Sequence, residues 1–103
     1  MRTMLKFQTD VNASNEAVKD GRLGKVMAAT MERWKPEAAY FTAVDGCRGG
    51  YIVFDLKDPS DIPAICEPFF TELGAKIELT PVMTPEDVQK GVEKAYPASA
   101  SRN

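Results

Sequence analysis

Glu37-Ala-Ala-Tyr-Phe-Thr-Ala-Val44, Asp45-Gly-Cys-Arg48 and Gly49-Gly-Tyr-Ile-Val-Phe-Asp-Leu56 follow one another directly, two runs rich in β-forming residues around a short polar insert. Asp-Gly between such runs is among the strongest short-range hairpin signals, because both residues tolerate the positive φ that a tight turn requires. The segment therefore predicts strands two and three of an antiparallel sheet, with residues 45–48 as the turn. In the second run Ile52, Phe54 and Leu56 alternate with Tyr51, Val53 and Asp55. One face of that strand is wholly apolar and the other is mixed.

Upstream, positions 4–11 also alternate. Leu5, Phe7, Thr9 and Val11 lie on one side and Met4, Lys6, Gln8 and Asp10 on the other, the pattern of a first strand with one buried face. Asn12 and Ser14 then offer N-cap oxygens, and Glu16 suits the positive end of a helix. Leu23, Val26, Met27, Thr30, Met31 and Trp34 recur at helical spacing and stop before Pro36, which predicts an amphipathic helix. Gly21 and Gly24 each cost about 1 kcal/mol relative to alanine inside a helix. A break near Lys19-Asp-Gly21 is expected.

Downstream, Ser60 is placed to cap a second helix with the stripe Ile62, Ile65, Cys66, Phe69, Phe70 and Leu73. Pro63 falls at its third position, where no intrahelical bond is lost; Pro68 lies inside and should bend the helix or remove a bond. Gly74 is a natural stop. Residues 75–83 read as a fourth strand with Ile77 and Leu79 inward. Thr84-Pro-Glu-Asp87 then opens a short helix to about Tyr96, and a polar tail covers residues 98–103.

The order β-α-β-β-α-β, with right-handed crossovers, gives one α+β domain over residues 1–97. Its simplest sheet is antiparallel with strand order 4-1-3-2, a ferredoxin-like sandwich plus an extra C-terminal helix. Leu5, Phe7, Phe41, Ile52, Phe54, Ile77 and Leu79 form the face under the helices. The opposite face carries Lys6, Gln8, Asp10, Tyr40, Thr42, Val44, Tyr51, Val53, Asp55, Glu78 and Val82. That mixture is too apolar for a wet surface and too polar for a core, and a second copy of the same sheet is the simplest cover.

Composition narrows the function classes. The 103 residues, 44% of them hydrophobic, suffice for one core. Thirteen basic against fifteen acidic residues give a net charge of −2, and their scatter lacks the basic footprint of a nucleic-acid binder. No apolar run approaches the roughly 20 residues that span a bilayer, and the N-terminus lacks a secretory pattern, so a cytoplasmic location is expected. Two cysteines, Cys47 and Cys66, and no histidine suggest neither a disulfide framework nor a zinc site. No metal or organic cofactor is expected. The glycines and lysines of residues 19–25 lack phosphate-loop spacing.

The element order, together with Lys35-Pro-Glu-Ala-Ala-Tyr40, Asp45-Gly-Cys-Arg-Gly-Gly50, Phe54-Asp-Leu-Lys-Asp-Pro59 and Leu79-Thr-Pro-Val-Met83, resembles small bacterial proteins of unknown function in the dimeric α+β barrel superfamily. The resemblance implies two sheets face to face in a homodimer. It also implies a cavity between sheet and helices where relatives bind small molecules. Relatives with known activity include cofactor-independent monooxygenases, haem-degrading enzymes and muconolactone isomerases. Activity does not travel with a fold.

Five residues are candidates for a ligand site. Trp34 continues the first helical stripe and reads as core or pocket wall; Asn12 or Asn15 could accompany it as in haem-degrading relatives, but the histidine ligand is lacking. Arg48 could pair bidentately with a ligand carboxylate, or be a solvated turn charge. Tyr40, Tyr51 and Asp55 belong to the covered sheet face, where Asp55 with a raised pKa and Tyr51 as donor are what acid–base chemistry would use. Alternatively, Lys6 and Asp55 simply pair across an interface. Cys66 reads as a small core residue and Cys47 as an exposed turn thiol. The expected function is binding of a small molecule by a homodimer. A cofactor-independent oxygenase or isomerase of a small aromatic or lactone substrate is the alternative, and a module docking a different protein the third reading.

Overall fold

Asp45 and Gly46 both take positive φ, 50° and 79°, the geometry of a two-residue turn whose twist matches its strands. Pairing therefore begins earlier than the sequence suggests: Val44 faces Cys47 and Ala43 faces Arg48. Both turn candidates are ladder residues of β3 (Cys47–Asp55), antiparallel to β2 (Ala38–Val44). In the computed structural model, which describes residues 1–97, β1 (Arg2–Gln8) and β4 (Lys76–Pro81) complete the sheet. The order is β2-β3-β1-β4 with every pair antiparallel. Read from the other edge this is 4-1-3-2, the expected ferredoxin-like arrangement. The segment 98–103, read as a tail, lies outside the described residues.

β1 stops at Gln8 because Asp10 is the N-cap of α1 (Val11–Lys19), its carboxylate accepting from the Ala13 amide at 2.8 Å. Asn12 and Ser14, expected as caps, are helical, and Val11 opens the helix instead of extending the strand. Asp10 had the shorter reach to the free amides. The expected break is present: Gly21, at φ 85°, separates α1 from α2 (Arg22–Trp34). α3 (Asp61–Leu73) passes through Pro68 and ends on Gly74 at φ 56°. There the amides of Gly74 and Ala75 reach the carbonyls of Phe70 and Phe69. Ser60 precedes α3 without a side-chain cap; its hydroxyl and amide both donate to the Asp58 carboxylate.

Leu5, Phe7, Ile52 and Phe54 from the sheet meet Ile65, Phe69 and Leu73 from α3 in one buried cluster. Each such side chain contributes about 1.5–3 kcal/mol on leaving water. Phe7 stands edge-on to Phe69, with centroids 5.0 Å apart. Ile77 and Leu79 are half-buried on the edge strand β4. Phe41, expected in the core, is 56% exposed. It lies on the correct face, but β2 is the opposite edge and Phe41 stands open to solvent.

The row Phe7, Gly50, Phe41 crosses three strands in register. A Cβ on Gly50 would lie 2.4 Å from the Tyr40 carbonyl oxygen and 3.1 Å from the Phe41 ring; one on Gly49 would lie 2.3 Å from the Phe7 carbonyl oxygen. Space, not φ, dictates these two glycines.

The last helix, α4 (Pro85–Ala95), begins with a full capping box: the Thr84 hydroxyl accepts from the Asp87 amide at 3.2 Å, and Asp87 accepts from the Thr84 amide at 3.0 Å. None of its residues is buried. α4 is an arm.

Gly50→Ala should lower the urea midpoint with the denaturant slope unchanged, a loss of about 1–3 kcal/mol from forcing the two strands apart; an unshifted midpoint would show that β2 yields freely. The Asp87 carboxyl is held below its ordinary value chiefly by the Thr84 amide. A depressed folded-state pKa means the cap is fully formed above the ordinary carboxylate range and is lost as pH falls through the depressed value. The protection factor of the Thr84 amide, its exchange rate relative to an unstructured amide at the same pH, should therefore fall in acid, and Asp87→Asn should abolish that pH dependence.

Candidate functional site

Because Phe41 on edge strand β2 stands clear of the helices, a groove of about 780 Å³ opens between the β2–β3 hairpin and the α1–α2 pair. Phe7 and Phe41, with ring centroids 6.3 Å apart, form its floor. Leu23 and Met27 of α2 form its apolar wall. Arg48, Asn15 and Thr9 supply polar groups.

Arg48 faces the helices because it alternates with Cys47 along β3. Its Nη1 donates to Ser14 Oγ at 2.9 Å and to Asn15 Oδ1 at 2.8 Å. Ser14 is fully buried, and its hydroxyl donates in turn to the Val11 carbonyl at 3.2 Å. The Arg48 carbonyl accepts from both the amide and the hydroxyl of Thr9, at 2.8 and 2.9 Å. Backbone and guanidinium are thus both anchored. Both side-chain partners of the guanidinium are neutral. Arg2 pairs with Glu37, and Arg22 with Asp20 and Glu72, but among the described residues Arg48 makes no ion pair. Neutral acceptors orient a guanidinium without cancelling its charge, which stays available to a carboxylate or similar anion.

The other candidates lie elsewhere. Trp34 ends α2, edge-on to Phe54 at 6.0 Å, with the Arg33 guanidinium 4.9 Å from its ring centroid. It lines a separate cleft of about 360 Å³ between α2 and α3. Tyr40 and Tyr51 face each other across β2 and β3 on the sheet surface away from the helices. Asp55 is on that same surface, seven residues from Arg48 along one strand, roughly 23 Å at ~3.3 Å per residue. Its carboxylate accepts from the Met1 amino group at 2.7 Å, and that hydrogen bond holds it below the ordinary carboxylate range. Acid–base chemistry asked for a raised value; the shift is downward because the group is exposed and paired. Lys6 stands between Tyr51 and Glu78 in the ladder, four pairs from Asp55.

Arg48 alone of the five therefore lies in the groove. Its hydrogen-bond partners had other readings in the sequence, Ser14 as a cap and Asn15 only as a companion to Trp34; Phe7 is in the core as expected, with Leu23 and Met27 packed against it, and these side chains line the groove as well. The available signal was Gly49-Gly50 inside a strand, since glycine there marks a place where something approaches closely. No cluster of histidine, cysteine or acidic residues suited to a metal occurs among the described residues.

A family model for a domain of unknown function, DUF3303, matches residues 1–96. The chain belongs to that family. A search of curated proteins found no match. The DUF3303 match takes in the whole sheet, all four helices and every residue of the groove. No helix of the DUF3303 chain is long and apolar enough to cross a membrane among the described residues.

The two thiols of this DUF3303 domain differ in environment. Cys66 is buried on α3, and burial pushes its thiol up. Cys47 is half-exposed, 3.6 Å from Gln8 Nε2. A thiol reagent at neutral pH should label Cys47 in the native protein and Cys66 only after denaturant is added. Equal labelling rates would show that α3 opens readily.

Proposed function

We propose that this DUF3303 protein is a homodimeric α+β barrel whose protomers each bind a small anionic molecule, a carboxylate on an apolar body, in the groove between hairpin and helices. The observation that carries this reading is Arg48: a guanidinium held by two neutral oxygens and lacking a protein carboxylate, at the polar end of an otherwise apolar groove. The anion would take the free donors of Arg48, and the apolar body would lie on Phe7, Phe41 and Met27. Neither a carboxylate nor a tyrosine lines this groove, whose ionisable groups are Arg48 and the Cys47 thiol, which favours binding over oxygenase or isomerase chemistry.

Support for the dimer comes from the sheet surface away from the helices. Tyr40 is 70% exposed there, and Met4, Tyr51 and Val53 are only half-covered. A two-fold contact would cover the same patch on both protomers. In it, the uncovered face of one sheet meets its own copy.

The test is a thermal-shift panel of benzoate, salicylate and octanoate against benzamide and octanamide. An acid at ten times its Kd should stabilise by about 1.4 kcal/mol, a rise of several degrees for a domain this small. The neutral amides should give little, and Arg48→Met should remove the difference. Equal shifts in wild type and Arg48→Met would refute the anion site, and a wild-type monomer by light scattering would refute the dimer.

A further inference from the structure

α4 is the part of the chain that its own fold does not use. Its 11 residues fall short of the about 12–15 at which an isolated helix becomes even marginal in water, and no tertiary packing makes up the difference. Its sequence is nonetheless amphipathic. Val88, Val92 and Tyr96 recur every fourth residue, each roughly half to two-thirds exposed, with Gly91 and Ala95 beside them, while Lys90 and Lys94 lie on the other side. A stripe with small residues beside it allows close approach by another helix.

The same chain holds a counterpart. Ile62, Cys66 and Phe70 also recur every fourth residue, along α3, and with Ile77 and Leu79 of edge strand β4 they line an apolar groove of about 300 Å³. Both stripes have the same spacing and the same length, about 12 Å at 1.5 Å per residue. Ridges of this kind interdigitate. α4 does not reach the groove of its own chain: the capping box sets its start, Arg2 Nη1 lies 4.0 Å from Asp87 Oδ2 at its root, and the helix stands off the body.

We infer that α4 is exchanged between two copies of the chain, its Val88-Val92-Tyr96 stripe docking in the α3–β4 groove of the partner copy. This inference rests on the dimer reading above and goes beyond it by assigning the arm. A second copy is the occupant because it brings both halves of the contact, so that one two-fold axis satisfies two arms and two grooves together. The area suits a dimer. The exposed parts of Met83, Val88, Val92, Tyr96, Ile62 and Phe70 amount to on the order of 500 Å² per protomer and about 1,000 Å² for the pair, the threshold of a specific interface before any sheet contact is added.

The test is oxidative cross-linking of the full chain carrying Val92→Cys and Phe70→Cys in a Cys47→Ser, Cys66→Ala background. A covalent dimer on a non-reducing gel, reversed by dithiothreitol, is expected. An intramolecular disulfide, seen as a monomer-mass species without free thiols, would overturn the exchange by placing the arm on its own groove. No cross-link would also overturn it. Val92→Asp, which changes a side chain already in water in a single protomer, should weaken the dimer Kd at least tenfold by sedimentation equilibrium. A dimer indifferent to Val92→Asp and lacking the cross-link would sink the arm exchange yet leave a sheet-to-sheet dimer standing; a wild-type monomer would sink both.

Discussion

The pairing parity of the β2–β3 hairpin governs what each later residue can do. Two turn residues with positive φ, Asp45 and Gly46, place Val44 opposite Cys47, and from there side chains alternate strictly between faces. Ile52 and Phe54 go to the core, Arg48 goes to the helices, and Cys47 goes to the opposite surface. One residue more or less in the turn would reverse all four. The same register lays Gly50 between Phe7 and Phe41, where backbone from β2 already fills the space a side chain would need. Core, groove floor and cation are thus set by a single turn.

Arg48 illustrates how a charge is kept ready. A carboxylate partner would hold the guanidinium more strongly but would also neutralise it, as Glu72 and Asp20 do for Arg22. Ser14 and Asn15 provide direction without charge, and Ser14 is itself fixed by being buried at the start of α1. That position follows from Asp10 capping the helix two residues after β1 ends. The groove therefore depends on a cap that does not itself line it, although its neighbours Thr9 and Val11 do. Loss of that cap, worth about 1 kcal/mol in typical cases, would loosen the Arg48 acceptors as well as the helix end.

The domain is closed on one side and open on the other. Under the helices, seven large apolar side chains are almost wholly excluded from water, and only the margins of that layer, at the edge strands β2 and β4, stay open. The sheet surface away from the helices and the arm α4 are the reverse, with aromatic and branched residues left in water. Uncovered apolar surface of this kind is what the proposed dimer would cover. The groove, the bare sheet and the arm are adjacent consequences of one four-stranded sheet covered on one face only.

Local rules carried the reading of the sequence a long way. Period-two alternation, with β-forming residues and the Asp45-Gly46 turn for β2, located four strands, helical stripes and punctuation by Gly21, Gly74 and Thr84-Pro85 located the helices, and the order of elements was enough for the 4-1-3-2 sheet. Those features depend on neighbours within a few residues, which the sequence displays directly. The ligand candidates fared differently. Trp34, Tyr40, Tyr51 and Asp55 were singled out by residue type, and tertiary structure separates them from Arg48 by distance or by face. Residue type carries no address. The groove is made by an edge strand that the helices leave uncovered and by hydrogen bonds between residues 33 and 34 positions apart. Likewise Thr84-Pro85 announced α4 in the sequence, but not its detachment, because a cap fixes where a helix begins and only packing decides what it lies against.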